Sequence, residues 1–169
     1  MNRKVWKLAI AGVLMGAWAL LFAGCTKDTN SNNCTPQDVS VEEPAIKAFA
    51  TANGINATRT NRGLYYEIIR PGATGRPTVN SIVYVTYKGT LLDGRVFDQQ
   101  TNPGRTGFQL NGLIEGWKLG IPLIGKGGAI KLMIPSALGY GCKGSGDTSS
   151  IIKPNLPLYF EIELVDFFN

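Results

Sequence analysis

The chain contains no histidine at all. That absence excludes Ser-His-Asp and Cys-His nucleophilic arrangements and every histidine-based zinc site. Cysteine is scarce as well: Cys25, Cys34 and Cys142 are widely spaced and form no CxxC pair, which argues against structural zinc and iron-sulfur clusters. A basic surface for nucleic acid is also missing. Of the 17 Lys and Arg, three precede Cys25 and no acid does, so the charge of +5 falls to +2, with 14 basic residues against 12 acidic ones, once that segment is removed. No basic cluster remains in the rest.

What is present begins with a targeting segment. Arg3, Lys4 and Lys7 form a basic start, residues 8–24 are uncharged and mostly apolar, and the run ends Phe22-Ala23-Gly24-Cys25. Small residues before a cysteine are similar to a bacterial lipobox, in which a signal peptidase cuts before the cysteine and its thiol carries diacylglycerol. An ordinary secretory signal, or an uncleaved anchor of about 17 residues at the short end for a span, are the other readings. The spacing predicts a lipoprotein signal over 1–24, lipidation at Cys25, a flexible polar tether over 25–39, and a place in the bacterial cell envelope, lipid-anchored at the outer membrane. The remaining stretch of about 145 residues suits one domain with one core.

Residues 40–62 read as a helical extension. Ser40-Val41-Glu42-Glu43 has capping-box spacing, with Ser40 as the cap and Glu43 reaching back, and Pro44 is tolerated in a first turn. Ile46, Phe49 and Ala50 fall at helical spacing and Asn53-Gly54 ends the run. From Gly63 the period changes to two. Val83, Val85 and Tyr87 share one face; Ile130, Leu132 and Ile134 alternate with Ala129, Lys131 and Met133; Leu158, Phe160, Ile162 and Leu164 alternate with Tyr159, Glu161, Glu163 and Val165. These are half-buried antiparallel strands, and residues 64–70 read as a fourth that the pattern cannot orient. Only residues 113–119 have helical spacing, with Ile114, Trp117 and Ile121 on one side, a side that the concave face of a sheet can bury. The expected class is α+β, an antiparallel half-barrel wrapped around one short helix with an additional N-terminal helix.

Gly120-Ile-Pro-Leu-Ile-Gly125-Lys126 imitates a phosphate-binding loop. Gly127 stands where Ser or Thr must hold magnesium, and the stretch follows a helix and leads into a strand, the reverse of the required context. Its glycines read instead as turn residues with positive φ.

Four segments then stand in order: VTYKGTLLDGRVFD at 85–98, LIEGWKLGI at 113–121, IPSALGYG at 134–141 and PLYFEIEL at 157–164. Together they resemble the FKBP-type peptidyl-prolyl isomerases, over 63–169. The resemblance implies rotation of X–Pro bonds in an apolar pocket, with proline-containing polypeptides as partners, tacrolimus-type macrolides as plausible ligands, and no metal or cofactor. Residue by residue it implies that Tyr87 is the pocket tyrosine, Phe97 and Asp98 an aromatic wall beside a rim carboxylate, and Trp117 the floor. It assigns the main-chain N–H of Ile114 and the hydroxyl of Tyr140 as donors to substrate carbonyls, and Phe160 as the aromatic of the last strand. Phe108, Leu113, Leu138, Ile151 and Ile152 complete its substrate-binding set. Departures from the family pattern are Thr106 in place of a second aromatic, Leu138 and Gly139 before Tyr140, Lys153 for a proline, and a longer loop over 142–150.

Taken singly, Tyr87, Phe108, Trp117 and Phe160 read as core residues and Asp98 as a turn or ion-pair residue. The ordered combination favours an enzyme over its alternative, a low-activity proline-peptide binding or holdase module of the envelope. With Cys25 consumed by lipid, Cys34 and Cys142 are an even pair in an oxidising compartment; they are either disulfide-bonded or two unrelated thiols.

Overall fold

The computed structural model describes residues 34–102, 107–145 and 151–169. The signal segment, Cys25, Thr106 and the loop positions 146–150 lie outside them. The chain runs through α1 (Val39–Ala52), β1 (Thr58–Arg59), β2 (Tyr65–Arg70), β3 (Ile82–Leu91), β4 (Val96–Gln100), β5 (Phe108–Gln109), α2 (Glu115–Gly120), β6 (Gly128–Ile134) and β7 (Leu158–Phe168). The seven strands form one antiparallel sheet in the order β1-β2-β6-β7-β3-β4, with β5 pairing β3.

Alternation in the three long strands sets the inner face. Val83 and Val85 from β3, Ile130, Leu132 and Ile134 from β6, and Leu158, Phe160, Ile162 and Leu164 from β7 are all buried in one cluster with Trp117 and Ile121. That side of α2 has no other apolar surface to face, so the helix seats against the sheet and closes the core. Helix α2 is shorter than the apolar spacing predicts: it starts at Glu115, and Ile114 is its N-cap in extended conformation (φ −60°, ψ 150°) with no side-chain capping bond. A bulge sits opposite Tyr84 and Val85. It reverses the parity of β7, so that Val165 and Phe168 are both exposed.

The outer face carries a second core that alternation alone does not announce. Met133 points away from the main cluster yet is fully buried, because α1 lies over it with Ile46, Ala50, Ile55 and Tyr65. The apolar spacing in α1 therefore faces the sheet. The start of α1 differs from the capping-box expectation. Asp38 is the N-cap, its carboxylate accepting from the Ser40 N–H at 2.8 Å. Glu43 pairs with Lys47 at 2.6 Å instead of reaching back. The physical reason is Glu42: it is buried and its carboxylate accepts from the Ser136 N–H at 2.7 Å and from the Ser136 hydroxyl. A carboxylate removed from water is tolerated only with such donors, and that bond fixes the helix phase.

The glycines of the imitated phosphate loop divide into two kinds. Gly127 has the expected positive φ of 74°. Gly120 and Gly125 do not, and are glycines for want of space: a Cβ would lie 2.6 Å from Leu132 Cδ2 and 2.1 Å from the Ala73 carbonyl oxygen, respectively.

Candidate active site

An apolar cavity of about 140 Å³ opens where β3, β4, α2 and the segment after β6 converge. It is lined by Tyr87, Phe97, Asp98, Phe108, Leu113, Ile114, Trp117, Tyr140 and Phe160. Trp117 forms the floor, 5 % exposed, with its ring edge-on to Tyr87 at 5.1 Å, to Phe160 at 5.3 Å and to Phe108 at 6.5 Å. Phe97 meets Phe160 edge-on at 5.3 Å. Edge-to-face stacking of this kind holds each ring by its neighbours' quadrupoles as well as by area burial, so the walls are set before any ligand arrives.

The register of β3 explains why these rings can meet. Gly89 pairs with Asp98 of β4 on one side and Phe160 of β7 on the other. A Cβ on Gly89 would lie 2.6 Å from the Phe97 ring and 2.8 Å from the Phe160 ring, so only glycine lets the two aromatics close over the strand. Sequence reasoning did not single out Gly89. Its signal was a glycine inside an otherwise regular strand pattern.

Polar groups at the cavity are few. The Tyr87 hydroxyl donates to Asp98 Oδ2 at 2.7 Å. Burial, and then the hydrogen bond and charge of Asp98, push the Tyr87 phenol well above its ordinary range. Tyr140, 38 % exposed, makes no hydrogen bond among the described residues; burial and then the Asp98 charge also raise its pKa. The Trp117 Nε1 has no partner among the described residues. With no histidine or thiol in the lining and its one carboxylate bonded to a phenol, the site has shape and directed donors but no acid–base pair.

Three of the expected substrate-binding residues are placed elsewhere. Leu138 and Ile152 are buried in the main core, and Ile151 packs against it; none of the three lines the cavity. Leu138 lies in the tight turn Ser136–Leu138, which turns its side chain inward. Cys34 and Cys142 are joined as a disulfide across a Cα separation of 5.6 Å. A larger recess of about 560 Å³ lies on the outer face, lined by Thr86, Lys88, Lys131, Glu161 and Glu163 among others. Charged and open, it provides no apolar well.

Comparison with known proteins agrees with this geometry. The family model for FKBP-type peptidyl-prolyl cis-trans isomerase matches residues 74–165. The FKBP-type peptidyl-prolyl cis-trans isomerase FkpA of Escherichia coli strain K12 is 41% identical over 119 residues, which is 70% of this chain and 42% of that protein. A probable FKBP-type peptidyl-prolyl cis-trans isomerase FkpA of Neisseria meningitidis serogroup B is 40% identical over 124 residues, 73% of this chain and 44% of that protein. The chain thus spans less than half the length of these relatives. The crystal structure of E. coli FkpA superposes with a TM-score of 0.63 at 35% identity, covering 77% of this chain and 61% of that one. A peptidyl-prolyl cis-trans isomerase from Pseudomonas syringae pv. tomato superposes with a TM-score of 0.64 at 32% identity, covering 80% of this chain and 99% of that one. With the ordered segments, the open sheet on one helix and the aromatic cavity all in agreement, the chain belongs to the FKBP-type peptidyl-prolyl cis-trans isomerase family.

Proposed function

We propose that this chain is a peptidyl-prolyl cis-trans isomerase that rotates X–Pro bonds in exported polypeptides. The observation that carries the reading is the cavity itself: aromatic on its floor and walls, with few polar groups in its lining. At about 140 Å³ it falls well below the ~300–1,000 Å³ of pockets for drug-sized ligands. It suits a single small ring such as proline, with the flanking peptide on the rim; a tacrolimus-type macrolide would use the same well and spread over the same rim.

Rotation about an X–Pro bond faces a barrier near ~20 kcal/mol because twisting destroys amide resonance. A catalyst must bind the twisted amide better than either planar form. Seating the ring on Trp117 between Tyr87, Phe97 and Phe160 strips water from the carbonyl, whose hydration favours the planar, polarised amide. The Tyr140 hydroxyl and the Ile114 N–H are the donors available to substrate carbonyls as they swing. Asp98 holds the Tyr87 ring in place through their hydrogen bond. No proton is transferred in any of these steps.

The working location we propose is the bacterial cell envelope, with lipid on Cys25 as the tether to the outer membrane. Its support is the basic start, the apolar run and the Ala-Gly-Cys ending. Among the described residues no helix is long and apolar enough to cross a membrane. Replacing Cys25 with Ser should abolish metabolic labelling by palmitate, and retained label would remove the anchor from the account. A proline-isomerisation assay on the purified protein, varying the residue before proline, tests the activity. Peptide binding without rate enhancement would instead establish the binding or holdase module.

A further inference from the structure

Tyr140 lies between two glycines. Gly141 has a positive φ of 58° and Gly139 sits at φ −116°, ψ −112°, so the chain on either side of the tyrosine has unusual conformational freedom. The tyrosine hydroxyl is itself unbonded among the described residues, and its ring is partly exposed. The main chain on either side is held by the Gly139 N–H on the Ser136 carbonyl and the Asn155 N–H on the Gly141 carbonyl, both at 2.9 Å, but no bond holds the tyrosine side chain itself. Two further connections anchor the flanks of this segment from a distance, and both reach to the segment before the barrel. Four residues ahead of Tyr140, Ser136 gives its N–H and its hydroxyl to the two oxygens of buried Glu42 in α1. Two residues behind it, Cys142 is bonded to Cys34.

We propose that the segment from Cys34 to Glu42 is a brace for the active site, in which Glu42 is a positioning residue that acts through Ser136 to set Tyr140 over the cavity, with the Cys34–Cys142 bond as the second fixed point. This rests on the isomerase reading above. Glu42 touches no lining residue of the cavity other than through the turn Ser136–Leu138, and its burial on the outer face of the sheet has no bearing on the aromatic walls. A helix held only by Ile46, Ala50 and its neighbours in the outer cluster would need no carboxylate there. The two oxygens are satisfied by Ser136 alone among the described residues, so the carboxylate is dedicated to that turn.

The brace is tested on the purified full chain by combining activity with amide exchange. Glu42→Leu keeps the volume but removes both acceptors. It should lower kcat/KM about fivefold, the scale of one ordinary hydrogen bond, and speed amide exchange across residues 137–142 while the amides of α1 and β7 stay protected. Glu42→Gln, which can accept from the N–H and donate to the hydroxyl, should restore both. In a Tyr140→Ala background Glu42→Leu should lower kcat/KM no further. Should Glu42→Leu fail to fold, Ser136→Ala and Cys34→Ser, which leave α1 intact, carry the same two expectations on a smaller scale. An equal loss with and without Tyr140 would show a general structural role and overturn the proposal. Unchanged exchange over 137–142 in all of these variants would overturn it too, whatever the activity. A parent protein devoid of isomerase activity would refute the functional reading, while the exchange measurement would still decide whether the brace exists.

Discussion

The two faces of the sheet bury apolar surface for different ends. On the inner face 17 buried residues form one cluster whose lower part is aliphatic and whose mouth is aromatic. On the outer face five residues, Ile46, Ala50, Ile55, Tyr65 and Met133, form a small cluster under α1. Leu132 and Met133 are adjacent on β6 and both fully buried, yet one packs below the cavity and the other under the helix. The inner cluster therefore combines stability with the lining of the aromatic cavity. The outer one has too little area to stabilise a domain by itself and serves to hold α1, and with it Glu42, in place.

Truncation should separate the faces most sharply. Trp117→Ala removes the floor and should cost ~3–5 kcal/mol of stability together with activity. Met133→Ala should cost less, about 2 kcal/mol, while leaving kcat/KM near the parent value at temperatures where it is folded. Denaturant melts paired with activity measurements check both. Equal loss of activity at equal stability would erase the distinction between the faces.

A smaller effect is expected at the rim. Tyr140→Phe deletes one hydroxyl and no packing, and should reduce kcat/KM about fivefold, one ordinary hydrogen bond's worth, with an unchanged melting transition. Asp98→Asn keeps an acceptor for the Tyr87 hydroxyl and should change activity least of all. Loss of all activity in this variant would mean that the carboxylate does more than position a ring.

The pH dependence of stability follows from the same groups. Tyr87 and Tyr140 have folded-state pKa values raised by burial and by Asp98. A raised folded pKa means that their contribution is fully present below the unfolded value near ~10 and is lost as pH rises beyond it. Glu115, lowered by its hydrogen bond to Lys118 and then by Arg62, contributes in the opposite sense: its share is present above the ordinary carboxylate range and fades as pH falls through it. Melts across pH should therefore be flat between these windows, with softening at each end.

Much of this arrangement was legible before any coordinates. Period-two alternation oriented β3, β6 and β7, and the spacing of Ile46, Phe49 and Ala50 marked α1, because side-chain direction in regular elements follows from backbone geometry. Eight of the nine residues around the cavity stood in the ordered segments, and the ninth, Phe108, lies between the first two of them. Strand β4 was not read from its own pattern, because Val-Phe-Asp-Gln-Gln does not alternate and its pairing to β3 supplies what its residues do not. The helix start was misplaced by two residues since Asp38 and Ser40 are both good caps, and the choice between them depends on a bond to Ser136, 94 positions away. Alternation showed that Met133 points outward but not what lies over it. Leu138 and Ile152 could not be told from pocket walls, because burial is non-directional and an apolar loop residue carries no period. Cys34 and Cys142 are 108 positions apart, a separation across which sequence gives no distance.

The central claim is that a shaped, dry cavity performs the rotation without acid–base chemistry. Its most direct test is kcat/KM of the purified protein on a proline peptide across mildly acidic to mildly alkaline pH, with Asp98→Asn run alongside. A nearly flat profile in both is predicted, since the rotation moves no proton. A steep bell in the parent that flattens in Asp98→Asn would contradict the account and show that a proton moves in the rate-determining step.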